Sequence, residues 1–313
     1  RLMRSLILRL AGEAGTGDDP QTLRRLMNIL VDLGYVDRRQ GRRAVAGGIR
    51  AVERQVTSLI FDPRSRTGLL SLIEDLRRTA GLVRDRLSGD AWRLLNNLLV
   101  ETESHAQRTD LDVDDALALL NAILGHLAAF GGMQMENMTR SIGWHLLDTG
   151  RRIERAGHLA KLLRELAVHG EPEAEGGLEL LLELGDSTMT YRTRYLSAVQ
   201  LPAVLDLLIS DDTNPRSIAF QAETLKQHIA ALPRDSDRAM LAREEYLAES
   251  IASELRLLDI HALCEKRSKR GARTDLEDLL KRLQAQTVEL SDILARSYFS
   301  HAMTVRSGGG GTL

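Results

Sequence analysis

The chain has 313 residues, 43% of them apolar and 27% charged, so it can bury a core and is not disordered by composition. Lys and Arg total 42 against 44 Asp and Glu, and this net charge of −2 argues against a nucleic-acid binder held by phosphate neutralisation. One cysteine, Cys264, rules out an internal disulfide and a cysteine-based zinc site, while 56 leucines, six prolines and 4% aromatics make a helix-rich composition.

The expected fold class is therefore all-α, a multi-helix bundle. Apolar periodicity places helices at about 1–11, 21–34, 41–59, 66–87, 90–106, 113–130, 134–168, 177–198, 215–231, 237–258 and 274–303. The first begins at Arg1 without an initiator Met and reads as the tail of a helix already under way, which suggests a fragment of something longer. Asn214-Pro215 reads as a capping side chain before a proline at the first helical position, and Thr274 to Glu277 as a capping box. Gly170 to Gly177 reads as a solvated loop, and 304–313 as a flexible tail. No run approaches the roughly 20 apolar residues of a membrane span. The densest, Leu178 to Leu184, carries Glu179 and Glu183. A cytoplasmic protein without a membrane or nucleic-acid partner is the expectation.

Repetition supports one domain, 1–303, built from two related halves at about 1–130 and 131–303. Aligning Asp62 with Asp212 also aligns Arg66 with Arg216 and Thr67 with Ser217. A second echo pairs Arg1-Leu-Met-Arg4 with Lys161-Leu-Leu-Arg164.

Several chemistries are absent as motifs. The sequence has no Gly-x-x-x-x-Gly-Lys phosphate loop, no Gly-x-Ser-x-Gly elbow and no His-Glu-x-x-His helix, and no histidine has a Glu three residues before it. No metal site or cofactor is expected in this chain. Glu101 and His105 read as an ordinary helical pair. His126, His145, His169, His228, His261 and His301 read as structural or solvated, and Trp92 and Trp144 as core.

The helix from about Met133 to Val168 is the least generic segment. A helical wheel gathers Met138, Ile142, Leu146, Thr149, Ile153, Ala156, Ala160 and Ala167 on a core face. Glu136, Arg140, Trp144, Leu147, Arg151, Glu154, His158 and Leu162 lie opposite, and the large apolar groups among them indicate a partly covered face. Buried charges need partners, and Glu136 with Arg140, Arg151 with Glu154 and Glu154 with His158 have helical pairing distances. Two readings stand. The charges form an ion network that locks two helices, or Arg140, Arg151, Arg152 and Arg155 grip a carboxylate or phosphate while Glu154 orients them. The helix start at Asn214, Arg216 and Ser217, with Arg66 at the matching place in the other half, is a second-tier anion site.

Met135-Glu-Asn-Met-Thr-Arg140-Ser-Ile-Gly143-Trp144, followed by Gly150-Arg151-Arg152-Ile-Glu154-Arg155-Ala156, resembles the signature of the bacterial alpha-E domain family. Phe61-Asp62-Pro63, the stretch from Val83 to Ser88 leading to Trp92, Asp212 to Gln221, and Ser297-Tyr298-Phe299 are similar to further landmarks in the same order. The resemblance implies a domain encoded beside, or fused behind, a circularly permuted ATP-grasp ligase, often near a transglutaminase-like protein. ATP-grasp enzymes join a carboxylate to an amine through an acyl-phosphate. It implies, too, a first Gly-Arg-x-x-Glu-Arg-Ala copy that this sequence lacks, and it makes Glu154 the namesake position.

Three functions follow as expectations. One is a non-catalytic accessory domain that docks on the ligase in the same polypeptide or complex, leaving ATP and magnesium to that partner, with Arg140, Arg151, Arg155 and the neighbouring Arg152 and His158 as contacts. Another is a catalytic domain using Glu154 as acid or base and His158 as proton shuttle. The last is a purely structural interaction module.

Overall fold

The computed structural model describes residues 1–12, 20–108, 111–169, 176–196, 198–233, 241–266 and 273–299. The expected C-terminal tail, His301, most of the 170–177 loop and the start of the 237–258 helix lie outside them. Among the described residues the chain is all-α, without strands. It divides into two compact units, Arg1–Thr139 and Arg140–Leu313.

The first unit contains α1 (Leu2–Leu10), α2 (Pro20–Asp32), α3 (Arg38–Ala46), α4 (Ile49–Phe61), α5 (Leu69–Leu82), α6 (Gly89–Ala106) and α7 (Val113–Asn137). Helix α1 packs on α2, α4 and α7, and α6 lies between α5 and α7. Leu6, Ile7, Leu26, Met27, Leu30, Ile60, Leu95 and Leu98 form its fully buried interior. Starts follow side-chain chemistry. Asp37 caps α3 through Arg39 N–H at 2.8 Å, Ser88 caps α6, and Asp112 with Asp115 forms a capping box on α7.

Boundaries depart from the sequence reading where backbone geometry intervenes. The single helix expected at 41–59 is two, because Gly48 has φ +74° and ψ −172°, a region open only to glycine. Helix α7 runs to Asn137, beyond the expected 130, and the chain breaks again before Ser141, whose backbone is extended. Helix α7 also corrects the membrane reading, since by length and composition alone it is long and apolar enough to cross one. Core helices of globular proteins meet the same measure. Ala116, Leu119, Leu120 and Ile123 are its buried face, whereas Leu127 is exposed.

The second unit contains α8 (Ile142–Leu163), α9 (Gly177–Leu184), α10 (Thr188–Tyr195), α11 (Leu201–Leu205), α12 (Ile218–Ala230), α13 (Arg243–Arg256), α14 (Ile260–Cys264) and α15 (Thr274–Phe299). Single π-helical turns extend α8 over Arg164–Val168 and α11 over Asp206–Ser210. The expected 177–198 helix is broken after Gly185, where Asp186 adopts φ +53°. Helix α8 packs on α12 and α15, α12 on α13, and α13 on α15. Ile153, Leu225, Ile229, Leu232, Leu247, Ala248, Leu290 and Leu294 fill the space between these four.

The start of α12 differs from the expected Asn-Pro cap. Ser217 is the cap, its Oγ accepting Phe220 N–H at 3.0 Å. Asn214 is buried and ties the preceding turn together. Its Nδ2 donates to the Leu207 carbonyl at 2.9 Å, and its Oδ1 accepts Arg216 N–H at 3.1 Å.

Candidate functional site

Helix α8 is covered on two sides, by α12 and by α15, so its buried stripe is wider than one apolar face: Thr149, Ile153, Ala156, Ala160 and Ala167 of the expected core face are buried, and further residues join them. Trp144, which the wheel places among the charges, and Arg152 are each 8% exposed, while Ile142 from the expected core face is 47% exposed. Down the α12 side run Trp144, Asp148, Arg152 and Ala156, four residues apart, all buried.

Two of those are charged, and burial of a charge is tolerated only with partners. Arg152 Nε donates to Asp148 Oδ2 at 2.9 Å, and its Nη1 donates to Gln221 Oε1 on α12 at 3.1 Å. Gln221, fully buried, donates from Nε2 to the carbonyls of Pro215 at 2.8 Å and Ser217 at 3.1 Å. Arg151 Nη1 faces the other carboxylate oxygen of Asp148 at 3.3 Å. One carboxylate thus serves two guanidinium groups, and a chain of hydrogen bonds leads from it to the turn before α12.

Asp148 has a third partner. The Nε2 of His228, near the end of α12, lies 2.7 Å from Asp148 Oδ2, and the Nδ1 of His228 lies 3.1 Å from Nδ1 of His145. The Trp144 ring meets both imidazoles edge to face at about 5 Å, and the Arg140 guanidinium lies 4.2 Å above that ring. Burial pushes the Asp148 carboxyl up, but the hydrogen bond from His228 and the charges and hydrogen bonds of the arginines outweigh it and bring it down to about 2. His145 is displaced below its ordinary value by burial, then by His228 and Arg140.

Farther along α8 lies Arg155, half-buried. Burial, and then the charges of Arg216, Arg152 and Arg151, lower its guanidinium to about 10 against one opposing charge, Asp148. Arg155 makes no hydrogen bond or ion pair among the described residues. Arg216 itself pairs with Asp186 at 2.6 Å.

The structure therefore brings together Arg151, Arg152 and Arg155 from α8 with the turn bearing Asn214, Arg216 and Ser217, joined through Gln221. Arg140 stands at the Trp144 end. It does not bring Glu154 or His158 into the network. Both are exposed, and neither makes a hydrogen bond or ion pair among the described residues. The expected pairing of Arg151 with Glu154 is replaced by Arg151 with Asp148, because Asp148 lies on the buried side and Glu154 does not. Arg66 is exposed in the first unit. Asp148, His145, His228 and Gln221 are the members that sequence reasoning missed. The four-residue spacing of Asp148 and Arg152 was a legible signal, whereas His228, 80 positions from Asp148, left none.

No solved structure matches the chain. Among curated proteins it is similar to uncharacterised proteins of Mycobacterium bovis and Mycobacterium tuberculosis, 32% identical over 242 residues. That stretch is 76% of this chain and 27% of each relative, so the chain spans about a quarter of the length of the relatives it matches. Residues 1–299 match the family described as a predicted alpha-helical domain with a conserved ER motif. The chain belongs to the Alpha-E family.

Proposed function

We propose that the second unit binds an anionic group, a carboxylate or phosphate, on Arg155, Arg151 and Arg216, and that the domain serves as an accessory to an ATP-grasp-type carboxylate–amine ligase. The observation that carries the binding reading is Arg155. Its half-buried guanidinium has no acidic partner among the described residues and sits among three other arginines. A cation in that setting gains from an anion that supplies the missing charge, and a guanidinium fork suits the paired oxygens of carboxylate or phosphate. Asp148 is already committed to Arg152, Arg151 and His228, so it orients the cluster without neutralising Arg155.

The ligase part rests on the family resemblance. The relatives have about three quarters of their length outside the matched stretch, room in which a further domain would fit. Such a ligase handles carboxylates, acyl-phosphates and released phosphate, all anions of the required chemistry. The reading with Glu154 as acid or base and His158 as shuttle receives no support from two exposed side chains outside the network. The structural reading is favoured for one part only, Asp148 with Arg152 and Gln221, which locks α8 to α12.

Calorimetric titration of the full chain with inorganic phosphate and with citrate tests the site. Binding that weakens at least tenfold in Arg155→Gln, about 1.4 kcal/mol, is the expected outcome. Absence of binding at millimolar concentrations, or binding indifferent to Arg155→Gln, would overturn the anion reading. The ligase reading predicts co-purification with an ATP-grasp partner and a change in that partner's rate.

A further inference from the structure

We infer that Asp148, His228 and His145 form a proton relay whose outer end, Nε2 of His145, is a general base for a hydroxyl or amine group of a ligand. Asp148 is ionised and 2% exposed, and its Oδ2 lies 2.7 Å from His228 Nε2, so that nitrogen carries the proton. The Nδ1 of His228 is then a bare acceptor. His145 Nδ1, 3.1 Å away, must be the donor when both rings are neutral. This leaves the lone pair of His145 on Nε2.

Three features suit that atom to accept a proton. His145 is half-buried at the start of α8, whereas its partners His228 and Asp148 are buried. Its Nε2 makes no hydrogen bond among the described residues. The imidazolium formed at His145 would donate through Nδ1 to His228, whose orientation Asp148 holds, so the proton is accepted without rearrangement. Trp144, edge-on to both rings, keeps them in place. The step is a proton transfer alone. The O–H or N–H bond of the ligand breaks, the N–H bond at Nε2 forms, and the electron pair stays on the ligand atom as a nucleophile. Arg140, whose charge acts on His145, lies on the Trp144 face beside it and suits a ligand that also carries a carboxylate or phosphate.

Nitrogen-15 correlation NMR of the full chain at neutral pH decides the tautomer. The expected result is His145 protonated at Nδ1 and bare at Nε2, the reverse at His228. Diethyl pyrocarbonate acylates bare imidazole nitrogen, and peptide mapping should find His145 modified at Nε2, with His228→Gln and Asp148→Asn each slowing that site about tenfold as the tautomer is released. A protonated Nε2 at His145, or modification at an unchanged rate in a variant that keeps the wild-type melting temperature, overturns the relay. Should either variant fail to fold, the tautomer measured on the unaltered chain decides.

Discussion

A carboxylate that accepts a hydrogen bond from Arg152, binds His228 and faces Arg151 takes its negative charge away from all three when it is removed. Asp148→Ala is therefore expected to cost about 3–5 kcal/mol in urea unfolding, the range for breaking a buried pair from one side. Glu154→Gln, at an exposed position without partners among the described residues, should stay within about 0.5 kcal/mol. The contrast separates the two acids that sequence reasoning would rank in the opposite order. The pH dependence has a definite sign. Asp148 titrates at about 2 in the fold, below its ordinary value, so its contribution is present above about pH 4 and disappears as pH falls toward 2. The size is of order 2 kcal/mol. Thermal unfolding followed from pH 6 to pH 2 should show this loss in the wild-type chain and a flatter profile in Asp148→Asn.

Between helices, small residues decide approach. Gly41 on α3 is buried, and a β-carbon there would overlap a methyl of Val31 on α2. Alanine ordinarily stabilises a helix interior by up to about 1 kcal/mol relative to glycine. At this position crowding of packed side chains, typically about 1–3 kcal/mol, opposes that gain. Gly41→Ala is expected to destabilise the chain by about 1 kcal/mol in equilibrium unfolding; a rise in stability would show that Val31 yields freely. Gly48 belongs to the same class of constraint, since its positive φ turns one expected helix into α3 and α4. These breaks follow local chemistry that periodicity does not register, because an apolar pattern continues across a glycine while the backbone does not.

At the scale of the molecule, every member of the polar network, from Arg140 to His228, lies in the second unit. Residues 140–299 expressed alone are expected to be helical by circular dichroism and to bind phosphate as the full chain does. Loss of cooperative unfolding in that piece would show that the first unit is needed to order the network. The all-α class, most helix positions and the special status of the α8 segment were legible in composition, periodicity and the Gly-Arg-x-x-Glu-Arg-Ala run. Legible, too, were three of the arginines and the turn at Asn214. The orientation of α8 was legible only in part: Thr149, Ile153, Ala156 and Ala160 of the expected face are buried, but so are Trp144, Asp148 and Arg152, because a helix packed by two neighbours buries more than one face.

Sequence alone determined that this chain is a helical domain of one recognisable family, with arginines concentrated on one helix. Helical propensity and local spacing are encoded in neighbouring residues. Only the tertiary structure decided that Asp148 and not Glu154 holds those arginines, that His228 and His145 join them, and that Arg155 is left without an acidic partner among the described residues. The cause is burial and contact between residues some 80 positions apart, which depend on how helices pack and have no period along the chain.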